Sequence, residues 1–368
     1  MITNSRPKNH NMTNSGFQSH SGSHALTVAA FLIILAAMMF ASSIITPILL
    51  ALFITIVCAQ PIRWLESKKV PNGLAVAIVL LLILGLLFGL GEVIGRSLTN
   101  FSRDSKIYAA RLDEIMTSLL STFHGMGFDV SIEQLETTIS PNSIMNASAS
   151  FLAAIGSIMS NMFLMIFIVI FMLLELNSFN LKVKAITSIS GESISYFKRI
   201  DQNIRQYLGL MTIISFLTGV LIYIALIIIG VKYAILWALL AFMFNFIPNI
   251  GSILASIPAI IFALIQLGAG GAVWTLISYS AINMIIGNIV QPPIMGKGLG
   301  LSTLVVFISL IFWGYILGTI GMFLSVPLTM VVKVILEQKA STRWIAIMLG
   351  TEKAAQDILD AEVSLKDS

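Results

Sequence analysis

Amide side chains are the main polar groups in a long apolar stretch of this sequence. Between residues 202 and 336 there is no Asp, Glu or His. An unpaired amide is costly in hydrocarbon, so each one must bond to another amide, to exposed backbone or to a bound polar molecule. The amides within or beside the apolar segments include Asn245, Asn249, Asn283, Asn288 and Gln291.

Two groups of these amides coincide with breaks in the apolar pattern, at 245–251 and 288–296. Paired interruptions of apolar segments are typical of transporter binding sites. Amides and freed backbone groups can hydrogen-bond a neutral, hydroxyl-rich solute. Taken singly, each amide could instead cap a helix end or bridge two helices. The predicted substrate-binding residues are Asn245, Pro248, Asn249, Gly251, Asn283, Asn288, Gln291, Pro292 and Pro293.

Carboxylates that could couple transport to an ion gradient occur only in the first half of the chain. Proton relays and sodium sites usually use an intramembrane acid or histidine. Glu92 and Arg96 are four residues apart and can pair on one helix face. Glu175 ends another apolar run. These three residues are the candidate coupling groups, with local ion pairing or interface anchoring as the alternative role.

No motif for an enzyme, a metal or a cofactor is present. The run 296–302 resembles a phosphate loop only superficially, because it lacks the required spacing and a preceding strand. Cys58 is the only cysteine, which excludes an intramolecular disulfide. We therefore predict a protein that is not an enzyme, with no cofactor and no metal.

Composition places the chain in a membrane. Its residues are 57% hydrophobic and only 10% charged, whereas soluble domains carry roughly 25% charged residues. The lipid bilayer is therefore the expected environment. The net charge of +4 is explained by basic loops on the cytoplasmic side rather than by nucleic-acid binding. The predicted fold is all-α, a polytopic transmembrane helical bundle with broken or re-entrant helices and an amphipathic helical extracytoplasmic segment.

Hydropathy divides the chain into seven parts. In the first membrane part we predict a hairpin of spans 26–44 and 47–62, broken at Thr46-Pro47, and a third span at 73–95. No fixed-period repeat is visible. The parts are a disordered cytoplasmic tail at 1–24, the first membrane helices at 25–97, extracytoplasmic amphipathic helices at 98–150, a membrane helix at 151–175, a cytoplasmic interfacial helix at 176–205, a membrane core at 206–337 and a cytoplasmic tail at 338–368.

The membrane core is interrupted too often for simple spans. Such breaks are tolerated only where protein or a cavity shields the backbone, so we expect re-entrant or discontinuous helices. The basic segments all fall on one side if both termini are cytoplasmic, which leaves the acidic 98–150 part outside the cell membrane. The predicted breaks are at 230–232, 247–251, 268–271, 291–293 and 318–321.

Long motifs in the second half resemble the autoinducer-2 exporter (AI-2E, PerM-like) family. They are 244–252, 291–303, 304–314 and 321–329, and the resemblance covers about residues 25–345. It implies export of autoinducer-2, a small hydroxyl-rich signal, by a homo-oligomer, a pentamer, in the bacterial inner membrane. Other members resemble sodium–proton antiporters, but the lack of acids in this membrane core favours a neutral solute.

Three functions thus remain open from the sequence. The first is export of autoinducer-2 or a similar small neutral polar metabolite. The second is cation–proton antiport, which would need Glu92 or Glu175. The third is a non-transporting membrane scaffold, which broken helices disfavour because a scaffold gains nothing from discontinuous backbone at membrane depth.

Overall fold

The computed structural model describes residues 20–125, 165–175, 195–248, 250–291 and 300–366, together with a few single residues and pairs between 150 and 189. These residues form helices joined by short turns. In chain order the helices are α1 (His20–Phe40), α2 (Ser42–Ser67), α3 (Asn72–Gly125), α4 (Met165–Glu175), α5 (Ser195–Ile229), α6 (Ala234–Phe244), α7 (Gly251–Ile285), the π-helical segment Ile286–Val290, α8 (Thr303–Glu337), α9 (Arg343–Met348) and α10 (Glu352–Lys366).

Five of the described helices are long and apolar enough to cross a membrane, which confirms the predicted all-α polytopic bundle. Helices α4 and α6 are apolar but shorter. The five candidate spans are Ser42–Ser67, Asn72–Asp104, Gln202–Ile229, Gly251–Val290 and Thr303–Glu337.

The first membrane helices differ from the predicted hairpin. The break falls at Ala41, and Pro47 lies inside α2. Ala41 N–H donates to Ala37 O at 2.9 Å and Ala41 O accepts from Ile45 N–H at 2.9 Å. Helical bonding therefore runs through the break, so the chain bends there and does not reverse. Pro47 is the sixth residue of α2, past the first turn, and the helix accommodates its missing N–H without ending, so this proline is a poor marker of the break.

Helix α3 also runs further than the sequence suggests. It continues from Asn72 to Gly125 without a break at the predicted boundary between 97 and 98. Residues 126–149 of the predicted extracytoplasmic part lie outside the described residues. Residues 1–19 and 151–164, which belong to other predicted parts, also lie outside them. His20–His24, assigned to the disordered tail from sequence, belong to α1.

Helices α7 and α8 are each folded into a hairpin at a glycine. Gly268 has φ +76° and ψ −169°, and Gly318 has φ +67° and ψ −154°, a region that only glycine adopts readily. In α8, Trp313 Nε1–H donates to Thr329 Oγ1 at 3.0 Å. Sixteen residues of straight helix would separate these two side chains by about 24 Å, so the chain must fold back between them.

The two hairpins share a sequence pattern that the sequence analysis missed. Each turn reads Leu-Gly-x-x-Gly, and the matching positions lie 50 residues apart. The pattern was hidden because both copies lie in continuous apolar sequence. The matching pairs are Ile261 and Ile311, Phe262 and Phe312, Leu267 and Leu317, Gly268 and Gly318, and Gly271 and Gly321.

Contacts at two places along helix α5 show where the two hairpins lie relative to each other. Near the C-terminal end of α5, Gly230 O accepts from the amide of Gln266, two residues before the α7 turn. Leu208, which lies about 33 Å away along α5, packs in a cluster with Leu301 and Met330 at the base of α8. The α7 turn and the α8 base therefore lie at opposite ends of the bundle.

Candidate functional site

Helical structure is interrupted inside the bundle between α6 and α7. Helix α6 starts after Tyr233, whose φ is +59°, and ends at Phe244. Its 11 residues extend about 16 Å, roughly half of a hydrocarbon core of about 30 Å. The break at 245–250 is therefore close to half-depth, where the amide pattern predicted an interruption.

Close packing fixes the shape of this break. A Cβ atom at Gly251 would lie 1.7 Å from Phe244 O. Ile247, between them, is 2% exposed, and its N–H donates to Phe244 O at 2.8 Å. Only glycine allows the first turn of α7 to approach the last turn of α6 this closely, which explains why a glycine stands at 251.

Asn245 is held by a side chain that the sequence analysis overlooked. Its Nδ2 donates to Ser215 Oγ of α5 at 3.0 Å, and Ser215 is fully buried. Serine is common in apolar helices, so nothing in the sequence singles out this one. The bond satisfies one donor of the amide and leaves the Asn245 oxygen available for another partner.

The tip of the α8 hairpin reaches this break. Phe323, five residues after Gly318, stacks on Phe244 with ring centroids 6.3 Å apart. Phe246 meets Phe242 and Phe53 edge to face at 5.7 and 5.6 Å. An apolar aromatic cluster thus surrounds the half-depth end of α6, and the α8 hairpin can reach it only from the α8 base.

The second arm of α7 brings further amides to a similar depth. Asn283 lies fifteen residues past Gly268 and is half-buried. Asn288 lies in the π-helical segment Ile286–Val290 and is exposed, and Gln291 follows that segment. π-helical turns are frequent at functional sites. Pro248 is half-buried at the break, whereas Asn249, Pro292 and Pro293 lie outside the described residues.

The candidate coupling groups lie away from the break. Glu92 Oε1 and Arg96 Nη2 form the predicted pair at 2.6 Å, with both side chains more than half exposed. Glu175 pairs with Lys182 at 2.5 Å and is also exposed. Neither carboxylate is brought to the amides of α6 and α7 by any described contact.

A second polar cluster joins α3 to the end of the bundle beside the α7 turn. Lys232 Nζ lies 3.4 Å from Asp104 Oδ2 and 3.5 Å from the Tyr108 hydroxyl. Burial raises the pKa of the Tyr108 phenol, and the Asp104 carboxylate adds to the shift. Sequence gave no signal for this cluster, because Asp104 and Lys232 are 128 residues apart.

Within the described residues, no three or more His, Cys, Asp and Glu side chains are grouped so that they could hold a metal ion. The described residues at the break instead offer the Asn245 amide, backbone groups and aromatic rings. Such groups suit a small uncharged polar molecule, since amides hydrogen-bond hydroxyl and carbonyl groups without a net charge.

Comparison with known proteins connects this architecture to a family. The sequence model of the protein family described as AI-2E family transporter matches residues 28–341. A protein of Haemophilus influenzae named for transport is 41% identical over 332 residues, covering 88% of this chain and 95% of that protein. AI-2 transport protein TqsA of Escherichia coli K12 is 39% identical over 325 residues, with 88% and 94% covered. YhhT of the same organism, also named for transport, is 31% identical over 331 residues, with 90% and 95% covered.

Proposed function

The chain belongs to the AI-2E family of transporters, and from this we propose that it exports autoinducer-2 or a similar small neutral polar metabolite. The observation that best supports a solute pathway is the half-depth break between α6 and α7, opposite the tip of the α8 hairpin. Discontinuous helices of this kind are where membrane transporters bind their solutes.

The proposed pathway uses the amides that the break and the π-helical segment present. An exposed amide such as Asn288 is costly against lipid, so it should face a solvated passage or another protomer. Movement of the α8 tip away from Phe244 would open the break towards one side of the membrane. This role accounts for the broken helices, which a scaffold would not need.

The surroundings of the transporter follow from the same proposal. The protein would lie in the bacterial inner membrane with both termini in the cytoplasm, as the basic segments favour. It would act as a homo-oligomer, a pentamer, and as a transporter rather than a catalyst. Cation–proton antiport remains the second hypothesis, but the exposed ion pairs of Glu92 and Glu175 do not favour it.

The test is autoinducer-2 movement in proteoliposomes, with and without an imposed proton gradient. We expect saturable flux that falls at least about tenfold in Asn288→Ala, since a lost hydrogen bond to a bound solute costs about 1.4 kcal/mol. Asn100→Ala, which removes an exposed amide of α3, is the matched control. Absence of flux from folded protein, or equal flux in both variants, would contradict the proposal.

A further inference from the structure

The C-terminal segment borders a partly open cavity at the base of the α8 hairpin. Helix α9 packs against α8, and residues of α8, α9 and α10 line a space of about 300 Å³. This volume is at the lower end of the range for small-molecule sites. The lining residues used below are Lys333, Glu337, Arg343, Ala346, Ile347 and Ile358.

Lys333 is the polar centre of the cavity. Its side chain is only 14% exposed, and Nζ donates to Gly300 O at 2.5 Å. A Cβ atom at Gly300 would lie 3.3 Å from Nζ, which is tighter than an ordinary contact, so this glycine keeps the space around the ammonium open. An ammonium has three N–H donors, and Gly300 O takes one of them.

The charges around Lys333 do not balance. Glu337 Oε1 is 3.7 Å from Nζ, too far for a close hydrogen bond, and its side chain is 34% exposed. The exposed Arg343 guanidinium meets no carboxylate in the described part of the chain. Two cations and one carboxylate leave one positive charge on the lining.

Apolar side chains form the rest of the wall. Ala346 is 1% exposed, while Ile347 and Ile358 are partly exposed at the cavity. On α9, Trp344 and Met348 stand one turn apart, 65% and 73% exposed. A ligand that fits must therefore combine one negative charge with an apolar or uncharged portion.

We propose that this cavity binds a phosphodiester monoanion between Lys333 and Arg343. A phosphodiester carries the single charge that the lining lacks, and lysine and arginine both bind phosphate oxygens through charge-assisted bonds. The chemistry is common to the headgroup of an anionic phospholipid and to a soluble glycerophosphodiester. Since Lys333 also holds Gly300, an occupied cavity is linked to the residues just before α8.

Binding is tested without any transport assay, so the result does not depend on the proposed function. Full-length protein in nanodiscs of mixed phosphatidylglycerol and phosphatidylcholine is released for native mass spectrometry, and the retained phosphatidylglycerol is counted per protomer. We expect Arg343→Gln to reduce retention about tenfold, the loss of one charge-assisted bond. Arg343 is exposed, so this variant should fold.

Controls separate the site from general attraction of anionic lipid. Lys353→Gln removes a nearby exposed cation that does not line the cavity, and retention should stay unchanged. Lys333→Arg should retain the lipid better than Lys333→Gln. Displacement of the lipid by soluble glycerophosphoglycerol would identify a water-soluble ligand, whereas resistance to it would identify the lipid. Equal retention in Arg343→Gln, Lys353→Gln and the parent would overturn the proposal.

Discussion

Asn245 Nδ2 donates to Ser215 Oγ across 3.0 Å, joining the half-depth end of α6 to the middle of α5. Ser215 lies fourteen residues before the end of α5, about 21 Å along the helix. The bond therefore fixes where α6 stops relative to a helix that runs the length of the bundle. This contact, the packing at Gly251 and the aromatic contacts of Phe246 together position the candidate site.

Removing the contact should weaken the fold of the break. We expect Asn245→Ala to lower the free energy of unfolding by about 1–3 kcal/mol, because a buried hydroxyl loses its partner. In a double-mutant cycle with Ser215→Ala, the coupling should be about 0.6 kcal/mol and at most about 1.7 kcal/mol, as for other helix pairs in membranes. Unfolding in mixed detergent micelles measures both values. Fully additive effects would mean that the two side chains do not interact.

Gly251 should not tolerate a side chain. Alanine there would place Cβ against Phe244 O, and the required shift should cost about 1–3 kcal/mol or more. Gly270→Ala is the matched control, because a Cβ atom there meets no atom within 4 Å. The comparison uses the yield of folded protein and its unfolding midpoint. Equal stability of the two variants would show that Gly251 does not approach Phe244 O this closely.

Locking the α8 tip to α6 should stop transport. In a Cys58→Ala background, Phe244→Cys and Phe323→Cys can be joined by a short thiol-specific cross-linker, since the rings are 6.3 Å apart. We expect flux to fall to background and to return when the link is cleaved. The control pair, Trp313→Cys with Thr329→Cys, links the two arms within the hairpin and should leave flux intact. Full flux with the first pair locked would show that the tip does not move.

Neutralising the exposed carboxylates should leave transport almost unchanged. Exposed ion pairs contribute about 0–1 kcal/mol, and neither Glu92 nor Glu175 contacts the break. Glu92→Gln and Glu175→Gln should therefore keep flux within about twofold of the parent, since roughly 0.4 kcal/mol is a twofold change. Proteoliposome flux with a proton gradient measures this. Loss of gradient-driven flux in either variant would instead support the antiport hypothesis.

Sequence patterns were informative where backbone chemistry decides the structure. The glycines at 268 and 318 predicted interruptions, and the structure has a turn at each because glycine alone accepts that backbone conformation easily. The Asn-Phe-Ile-Pro motif after Phe244 predicted a break at 247–251, and α6 ends there. By contrast, Pro47 suggested a break that the structure places at Ala41.

Long-range pairs could not be predicted from the sequence. Ser215 gave no sign of bonding Asn245, and Lys232 gave no sign of meeting Asp104, because a uniformly apolar context carries no periodicity that identifies helix neighbours. The same context concealed the stack of Phe323 on Phe244. The substrate-binding role of the predicted residues stays a prediction. The structure defines the surroundings of two of them, Asn245 and Gly251.

A change of helix type in the π-helical segment Ile286–Val290 would rotate the residues that follow it. The segment holds one residue more per turn than an α-helix, so conversion to α-helical geometry would turn the chain beyond it by about 100° around the axis. Gln291 would swing through that angle while Asn283, on the α-helical side, stayed in place. The helix could thereby move an amide into or out of the passage by local rewinding, with no displacement of the bundle as a whole.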